Sequence, residues 1–159
     1  MVNLVRLAAR LVGQGQRNWA VFEAGLSDLR RKRYREARSA FEALAAKGHC
    51  EAQYQLGGML RQGQGGPADP ARAAEWFRKA AEAGHGRAMG ALGVLHLQGL
   101  GVPVDDTKAY KWLLLSAEHK AGWEDAELSL ALLRRRMSEE DIARAEAQAR
   151  ATAAESARP

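Results

Sequence analysis

The sequence has few of the residues that β-rich or disulfide-stabilised folds need. It contains one cysteine, Cys50, and four prolines among 159 residues, and β-branched residues are sparse outside the stretches 2–21 and 94–104. A single cysteine excludes an internal disulfide framework, so folding needs no oxidising compartment. Alanine, leucine, arginine and glutamate dominate instead, and these residues favour helices. The composition therefore predicts an all-α protein, long enough for one domain with a buried core.

The N-terminal segment "MVNLVRLAARLV", residues 1–12, lacks the uninterrupted apolar run of a secretory signal, because Arg6 and Arg10 break it. It is also shorter than the roughly 20 apolar residues that span a bilayer. On a helix, Asn3 and both arginines share one narrow face, and apolar residues cover the rest. We therefore predict a basic amphipathic helix that packs on the domain or docks on a membrane or partner, with export as an alternative.

Acidic residues are scarce only in the N-terminal third. The formal net charge is +5, and residues 1–47 hold ten Lys and Arg against four Asp and Glu, whereas residues 48–159 hold fourteen against fifteen. The excess centres on "RRKRYREAR", residues 30–38. This segment is either a solvated helix end or a patch for an anionic partner, such as an acidic protein face, lipid head groups or nucleic acid. Nucleic acid is disfavoured because Tyr34 is the only aromatic residue there.

An internal repeat of 36 residues organises the rest of the chain. Residues 52–82 and 88–118 are identical at 12 of 31 positions, which is far above chance. The segment 45–53 recurs at 81–89, and a related segment follows at 121–128 after a two-residue insertion. The sequence therefore predicts about three and a half units, each a helix, a loop and a helix.

Each predicted unit has an apolar stripe with a glycine inside it. The stripe of the first helix is Ala52, Leu56 and Met59 in one unit and Ala88, Leu92 and Leu95 in the next. Gly57 and Gly93 interrupt these stripes, which costs each helix about 1 kcal/mol relative to alanine. We expect close approach of the second helix to compensate for that cost. In the second helix, we expect Trp76 and Trp112 to wedge their rings between the two helices.

The stretch "GLGVPVDD", residues 99–106, resembles a catalytic loop, yet it repeats "GQGGPADP" of residues 63–70. It lacks the Gly-Lys-Ser/Thr sequence and the preceding strand of a phosphate-binding loop. Glycines at positions 99 and 101 permit a positive φ, and Asp105 or Asp106 can cap the next helix. We therefore predict a turn without chemistry.

No constellation of catalytic or metal-binding residues is apparent in the sequence. His49 and His85 occupy equivalent repeat positions, and stacked helices stand roughly 10 Å apart, which is too far to share one zinc ion. We expect both histidines to face solvent at turns, and we interpret Cys50 as a structural cysteine. The acidic run at residues 139–141 suits a helix start, where the dipole favours negative charge. The sequence predicts no enzyme activity, no cofactor and no metal.

The repeat resembles the Sel-one-like repeat (SLR) family, relatives of the tetratricopeptide repeats. The resemblance covers residues 22–136 and rests on Ala-x-x-x-Leu-Gly, Gly-x-Gly-x-Pro-x-Asp, Ala-x-x-Trp and Ala-x-x-Gly, found over residues 52–84 and, with one flaw, over 88–122. It implies an α/α solenoid. The first unit has a short turn at Lys32 in place of the glycine loop, and the last helix resembles the closing helix of many bacterial members.

These patterns divide the chain into three parts. Residues 1–17 form the N-terminal basic amphipathic helix and a linker, residues 18–154 form the repeat solenoid with its C-terminal cap, and residues 155–159 form a disordered tail. The single cysteine allows both cytoplasm and periplasm, and we expect a cytoplasmic or membrane-peripheral protein, with the periplasm as an alternative.

The resemblance implies a protein–protein interaction module, acting as an adaptor, a scaffold or an accessory subunit in complex assembly, signalling or envelope processes. Its partner would be a helix or an extended peptide held on the concave face. The alternative is an anionic-surface binder, in which the basic N-terminal region contacts a membrane or, less favoured, nucleic acid.

The tetratricopeptide pattern places the ligand side on the first helix of each unit. The residues that we expect to bind the partner, there or in the basic patch, are Trp19, Phe22, Leu29, Arg30, Arg31, Lys32, Arg33, Tyr54, Arg61, Leu97 and Leu128. The same alignment also brings Leu26, Glu51, Gln62, Arg87, Val94, Gln98, Asp125, Leu132 and Arg135 to this side. Alternatively, this face is merely solvated and the N-terminal helix folds into it.

Overall fold

Eight α-helices make up the part of the chain that the structure, a computed structural model, describes. That part comprises residues 2–119 and 125–156, with side chains described for residues 14–119 and 125–155. The helices are α1 (Val2–Arg30), α2 (Tyr34–Ala45), α3 (Cys50–Gln62), α4 (Pro70–Glu82), α5 (Gly86–Gln98), α6 (Asp106–Glu118), α7 (Ala126–Arg134) and α8 (Glu139–Ser156). No β-strand occurs within these residues, so the predicted all-α fold is confirmed.

The helices pack in chain order. Each helix from α1 to α6 packs against the next one, and α8 packs against α6. The pairs α3/α4 and α5/α6 are the helix–loop–helix units of the 36-residue repeat, preceded by α1/α2 and followed by α7 and α8. Because no helix of a pair can bury its apolar stripe alone, the array is stabilised by stacking. The predicted α/α solenoid is therefore confirmed.

The two ends of the array differ from the predicted boundaries. Helix α1 runs without interruption from Val2 to Arg30, so the segment expected to be a linker before residue 18 is helical. The side chains of the predicted amphipathic segment, residues 1–12, lie outside the described residues. Helix α8 continues to Ser156, so the predicted tail begins inside a helix, and residues 157–159 lie outside the described part.

Helix α8 closes the array as the resemblance implies. The Ser138 hydroxyl accepts a hydrogen bond from the backbone N–H of Asp141 at 3.1 Å and donates to its carboxylate at 2.8 Å. This reciprocal cap starts the helix after the turn that follows α7. Ala145 and Ala149 are then buried, at 0% and 3% exposure, where α8 packs on α6.

The two helices of each repeat unit meet at a glycine. A Cβ atom added at Gly57 would lie 2.8 Å from the ring of Phe77, and one at Gly93 would lie 2.7 Å from Cγ of Leu113. Both distances are shorter than a van der Waals contact, so only glycine allows α4 and α6 to approach this closely. The expected close approach is confirmed.

The side chains that fill this contact are not the predicted tryptophans. Phe77 and Leu113 are buried against the glycines, whereas Trp76 is only half-buried. Trp112 is buried, but the residue after it makes the glycine contact. The wedge prediction was wrong because Phe77, four residues after Ala73, continues the apolar stripe, and the preceding residue lies about 100° away around the helix.

The loop over residues 99–106 is a turn between helices, as predicted. Gly99 and Gly101 adopt left-handed φ values of 69° and 74°, and a Cβ at Gly101 would lie 2.2 Å from the carbonyl group of Pro70. Asp105 caps α6 by accepting from the backbone N–H of Lys108 at 2.9 Å. Burial raises the pKa of the Asp105 carboxyl, but the backbone and side chain of Lys108 outweigh it and keep the pKa below its usual range.

His49 and His85 cap helices rather than facing solvent, so that prediction was wrong. Their side chains accept hydrogen bonds from the backbone N–H groups of Ala52 and Ala88 at 3.2 and 3.1 Å. They thus occupy the places at the starts of α3 and α5 that aspartates occupy at the starts of α4 and α6. Each histidine satisfies one of the unpaired N–H groups of a helix start.

Alanine should destabilise the fold at the contact glycines but not at an open glycine beside them. We expect Gly57→Ala and Gly93→Ala to lower the free energy of unfolding by about 1–3 kcal/mol, because an overpacked contact forces its neighbours to move. Gly58→Ala has nothing within 4 Å of the added Cβ and should raise that free energy by up to about 1 kcal/mol. Urea unfolding tests this; equal stabilities for all three variants would contradict the packing.

The loop over residues 99–106 should tolerate loss of the charge of Asp105 but not loss of the hydrogen bond by which this side chain caps α6. Asp105→Asn should change the free energy of unfolding by less than about 1 kcal/mol, whereas Asp105→Ala should lower it by about 1 kcal/mol or more. Urea unfolding measures both. Titration calorimetry with Mg²⁺ and ATP should show no binding; stoichiometric heat that Asp105→Asn abolishes would show that the loop carries chemistry.

Candidate functional site

A cleft of about 300 Å³ runs along α3. We call it the α3 cleft. It is lined by Leu29, Tyr34, Tyr54, Gln55, Gly58, Met59, Arg61, Gln62, Gln64, Phe77 and Ala91. These residues come from three consecutive helix pairs, so the cleft exists only because the units stack.

Tyr54 forms a fixed aromatic wall of the α3 cleft. Its ring is stacked on His85 at a centroid distance of 4.8 Å and lies 5.8 Å from the ring of Phe77. The guanidinium of Arg87 stands 5.2 Å from the ring centroid. Contacts of this kind each stabilise the folded protein by about 1 kcal/mol. The ring is therefore held in place before any ligand binds.

A polar cluster beside the cleft positions these neighbours of Tyr54. Because Nδ1 of His85 accepts from the backbone of Ala88, its ring proton resides on Nε2, which donates to Oε2 of Glu51 at 2.7 Å. Arg87 donates to the other oxygen at 3.2 Å. The hydrogen bond from His85 lowers the pKa of Glu51 below its usual range; burial opposes this, and the hydrogen bond from Gln55 and the charge of Arg87 add to it. The cluster ties α3 to the start of α5.

Arg61 is the only charged residue among those that line the α3 cleft. It lies in the last turn of α3. Its Nε atom is buried and has no hydrogen-bond partner, and no ion pair joins it to an acidic residue in the described part of the chain. The cleft therefore combines apolar and aromatic walls with one uncompensated cation.

Three predicted partner-binding residues, Leu29, Tyr54 and Arg61, do line the α3 cleft. The basic residues Arg30, Arg31, Lys32 and Arg33 lie at the end of α1 and in the turn to α2, between two lining residues. Arg33 is ion-paired with Asp28. All four are exposed, and the other three have no ion-pair partner among the described residues.

The structure does not bring the remaining predicted residues into the cleft. Trp19 is 60% exposed on α1 and Leu128 is 64% exposed on α7. Leu97 is half-buried against the apolar cluster around Tyr110. Phe22 requires a correction, because it is only 4% exposed and its ring stacks on a histidine at 5.1 Å. It belongs to the core and is not accessible to a partner.

Sequence reasoning missed Tyr34, Gln55 and Gln64 as residues of the cleft. It considered mainly the first helix of each unit, whereas Tyr34 opens α2 and Gln64 lies in the loop after α3. The short turn at residues 31–33 was the available signal for Tyr34, since such a turn holds the start of α2 beside the end of α1.

A second cleft of about 490 Å³ lies between α4, α5, α6 and α8. Two of its three cations are ion-paired, since Arg78 pairs with Glu82 at 3.3 Å and Lys108 pairs with Asp105 at 3.0 Å. Burial lowers the pKa of Lys111, whose ammonium lies 4.5 Å from a tryptophan ring. The α3 cleft, with its unpaired guanidinium, is therefore the better candidate for a ligand site.

Neither a metal centre nor a membrane span is found in the described residues. Within residues 2–119 and 125–156, no group of three or more His, Cys, Asp or Glu is placed to hold a metal ion. No helix in the same ranges combines the length and the apolar character needed to cross a bilayer. Cys50 is a half-buried free thiol at the start of α3.

The Sel1 repeat family model matches residues 50–85 and 86–120. The structure is similar to that of c5321, a protective antigen present in uropathogenic Escherichia coli strains displaying an SLR fold. That similarity has a TM-score of 0.80 and 28% identity, over 85% of this chain and 29% of that one. A Sel1 repeat protein from Oxalobacter formigenes gives a TM-score of 0.65 and 31% identity, over 72% and 48% of the two chains.

The chain thus spans under a third of the first of these structures and about half of the second. No curated protein matches the chain in sequence.

Removing the charge of Glu51 should reduce stability in a pH-dependent way. Because its pKa is lower in the folded state, the carboxylate contributes stability that is present above about pH 4.5 and is lost as the pH falls through the lowered value. We expect Glu51→Gln to lower the free energy of unfolding by about 1 kcal/mol at neutral pH, and by progressively less as the pH falls below about 4.5.

Urea unfolding across this pH range measures the difference. Glu127→Gln, at an exposed position of α7, is the matched control and should have little effect at any pH. A loss of stability that is the same at every pH would contradict the role of the Glu51 carboxylate.

Proposed function

Because residues 50–120 belong to the Sel1 repeat family and the chain has the fold of SLR proteins, we propose that it binds a segment of a partner protein in the α3 cleft. Sel1 repeat proteins generally mediate protein–protein interactions, and their fold is typically a non-catalytic scaffold. The chain would then act as an adaptor, a scaffold or an accessory subunit of a larger complex.

The observation that carries the proposal is the chemistry of the α3 cleft. Leu29, Met59 and Tyr54 supply apolar and aromatic contact area, and glutamine amides supply hydrogen-bonding groups at its edge. Peptide sites combine these two features. The Tyr54 ring is already held by its neighbours, so binding loses little side-chain entropy there.

Residues outside the cleft would form the margin of the interface. Arg30, Arg31 and Lys32 are exposed beside it, and charges at a rim chiefly accelerate association with an oppositely charged partner. For a partner that extends beyond the cleft along the array, we add the exposed side chains of Trp19 on α1 and Leu128 on α7.

A second candidate is an anionic surface, chiefly a membrane. The unpaired basic residues of the turn between α1 and α2 favour it, because such residues attract lipid head groups. For location we propose the cytoplasm or the cytoplasmic face of a membrane, with the periplasm as an alternative. The free thiol of Cys50 is compatible with a reducing compartment.

Filling the α3 cleft should abolish partner binding without harming the fold. Gly58 lines the cleft, and nothing lies within 4 Å of a Cβ built there, so we expect Gly58→Leu to weaken partner retention about tenfold or more. Gly15→Leu is the matched control, because Gly15 is equally open and lies fourteen residues before Leu29 on α1. It should retain the partner as the unchanged protein does.

The measurement is capture of proteins from an extract of the source organism by the immobilised full chain, with quantitative mass spectrometry of what each variant retains. Circular dichroism and urea unfolding establish that both variants are folded. Cleft binding through apolar contacts should persist between about 50 and 200 mM salt, whereas attraction to an anionic surface should collapse. Salt-sensitive binding that ignores Gly58→Leu would favour the second candidate.

A further inference from the structure

Arg61 is not required by the repeat architecture. The position 36 residues later in the next unit is Leu97, at the same place in α5. The repeat therefore folds with an uncharged apolar residue here, and a cation at position 61 needs another reason. Its cost is real, because a guanidinium stays charged and a buried N–H without an acceptor loses its hydration.

Arg38 also has a buried nitrogen without a partner, Nη1, but its guanidinium is joined to an acidic residue, which that of Arg61 is not in the described part of the chain. Arg38 pairs with Glu42 at 3.0 Å, and Arg134 donates to the hydroxyl of Tyr110 at 2.8 Å. Their acceptors lie on their own helix or on a helix packed against it. Nε of Arg61 lacks any such acceptor within the described residues, although its side chain lines an open cleft.

The surroundings of Arg61 favour an anion as the missing partner. No acidic residue lines the α3 cleft, so nothing there would repel a carboxylate. Arg30, Arg31 and Lys32 are exposed on the adjoining turn and add positive potential at the entrance. A guanidinium binds a carboxylate through two parallel hydrogen bonds, which fix the orientation of the ligand as well as its charge.

We propose that the occupant of the α3 cleft is an acidic peptide segment, in which an Asp or Glu side chain pairs with Arg61. An apolar residue of the same segment packs against Leu29 and Met59, beside the ring of Tyr54. This inference rests on the proposed function and names the chemistry of its ligand. It predicts that the peptide needs a carboxylate to bind, whereas the proposed function alone would also allow a peptide that binds only through apolar contacts.

The test uses the full chain and a random library of twelve-residue peptides, acetylated and amidated at their ends so that only side chains carry charge. Selection on the unchanged protein should enrich Asp or Glu at a fixed spacing from an apolar residue. For the best binder, we expect exchange of that Glu for Gln to raise Kd about tenfold or more with the unchanged protein. With Arg61→Gln, the same exchange should change Kd less than about twofold, because the partner charge is gone.

Two further variants keep the test decisive. Arg61→Leu installs the residue that the next repeat has at this position, so it should fold and should also lose the preference for the carboxylate. Arg78→Gln is the control, because Arg78 is paired with Glu82 on another surface and should leave the preference intact. Circular dichroism establishes that each variant is folded before Kd is measured.

The outcomes separate this inference from the proposed function. Suppose that the selected peptides lose binding to Gly58→Leu but need no carboxylate, or still need one with Arg61→Gln and Arg61→Leu. The α3 cleft then binds peptides, but the Arg61 inference is wrong. If no selected peptide depends on Gly58, peptide binding in the cleft fails and the inference fails with it. Displacement of the peptide by a twelve-nucleotide single strand at equal concentration would overturn the inference in favour of nucleic acid.

Discussion

The close contact between the two helices of a unit is the constraint on which the rest of the structure depends. Phe77 against Gly57, and Leu113 against Gly93, set how near the second helix lies to the first, and stacking repeats that spacing along the array. Phe77 also lines the α3 cleft and supports the ring of Tyr54 at 5.8 Å. Phe77 thus packs the two helices of its unit together and also supports the aromatic wall of the candidate site.

Contacts between successive units use the glycine loops in the same way. A Cβ at Gly101 would collide with Pro70 at the start of α4, and a Cβ at Gly65 would lie 2.5 Å from the carbonyl oxygen of Tyr34 at the start of α2. Each loop therefore rests on the second helix of the preceding unit. Gln64 lies between Gly63 and Gly65 in the loop after α3. The contact of Gly65 with Tyr34 brings Gln64 beside Tyr34, and both residues line the cleft.

The helices, their order, the glycine contacts and the loop turns could be predicted, because each depends on spacing along the chain. The identity of the wedge could not, since Trp76 and Phe77 are adjacent and only the rotation of α4 against α3 decides between them. The histidine caps were missed because aspartate or serine is the usual residue there. Most of the cleft was missed because its residues come from separate units, and the first unit lacks the glycine loop that would align it.

The differences between the two clear repeats indicate where ligand chemistry lies. Three core positions of the first helix are unchanged between them, as the alanine, leucine and glycine at 52, 56 and 57 recur 36 residues later, and at the glycine contact Phe77 is replaced by another apolar residue, Leu113. Of the six α3 residues that line the cleft, Gln62 recurs as Gln98 and Met59 is replaced by Leu95, whereas the other four change their chemistry: Tyr54, Gln55, Gly58 and Arg61 correspond to Gly90, Ala91, Val94 and Leu97. Because the packing of the repeat tolerates both sets, it does not select the aromatic ring, the amide, the open glycine or the cation. A ligand in the cleft would select all four.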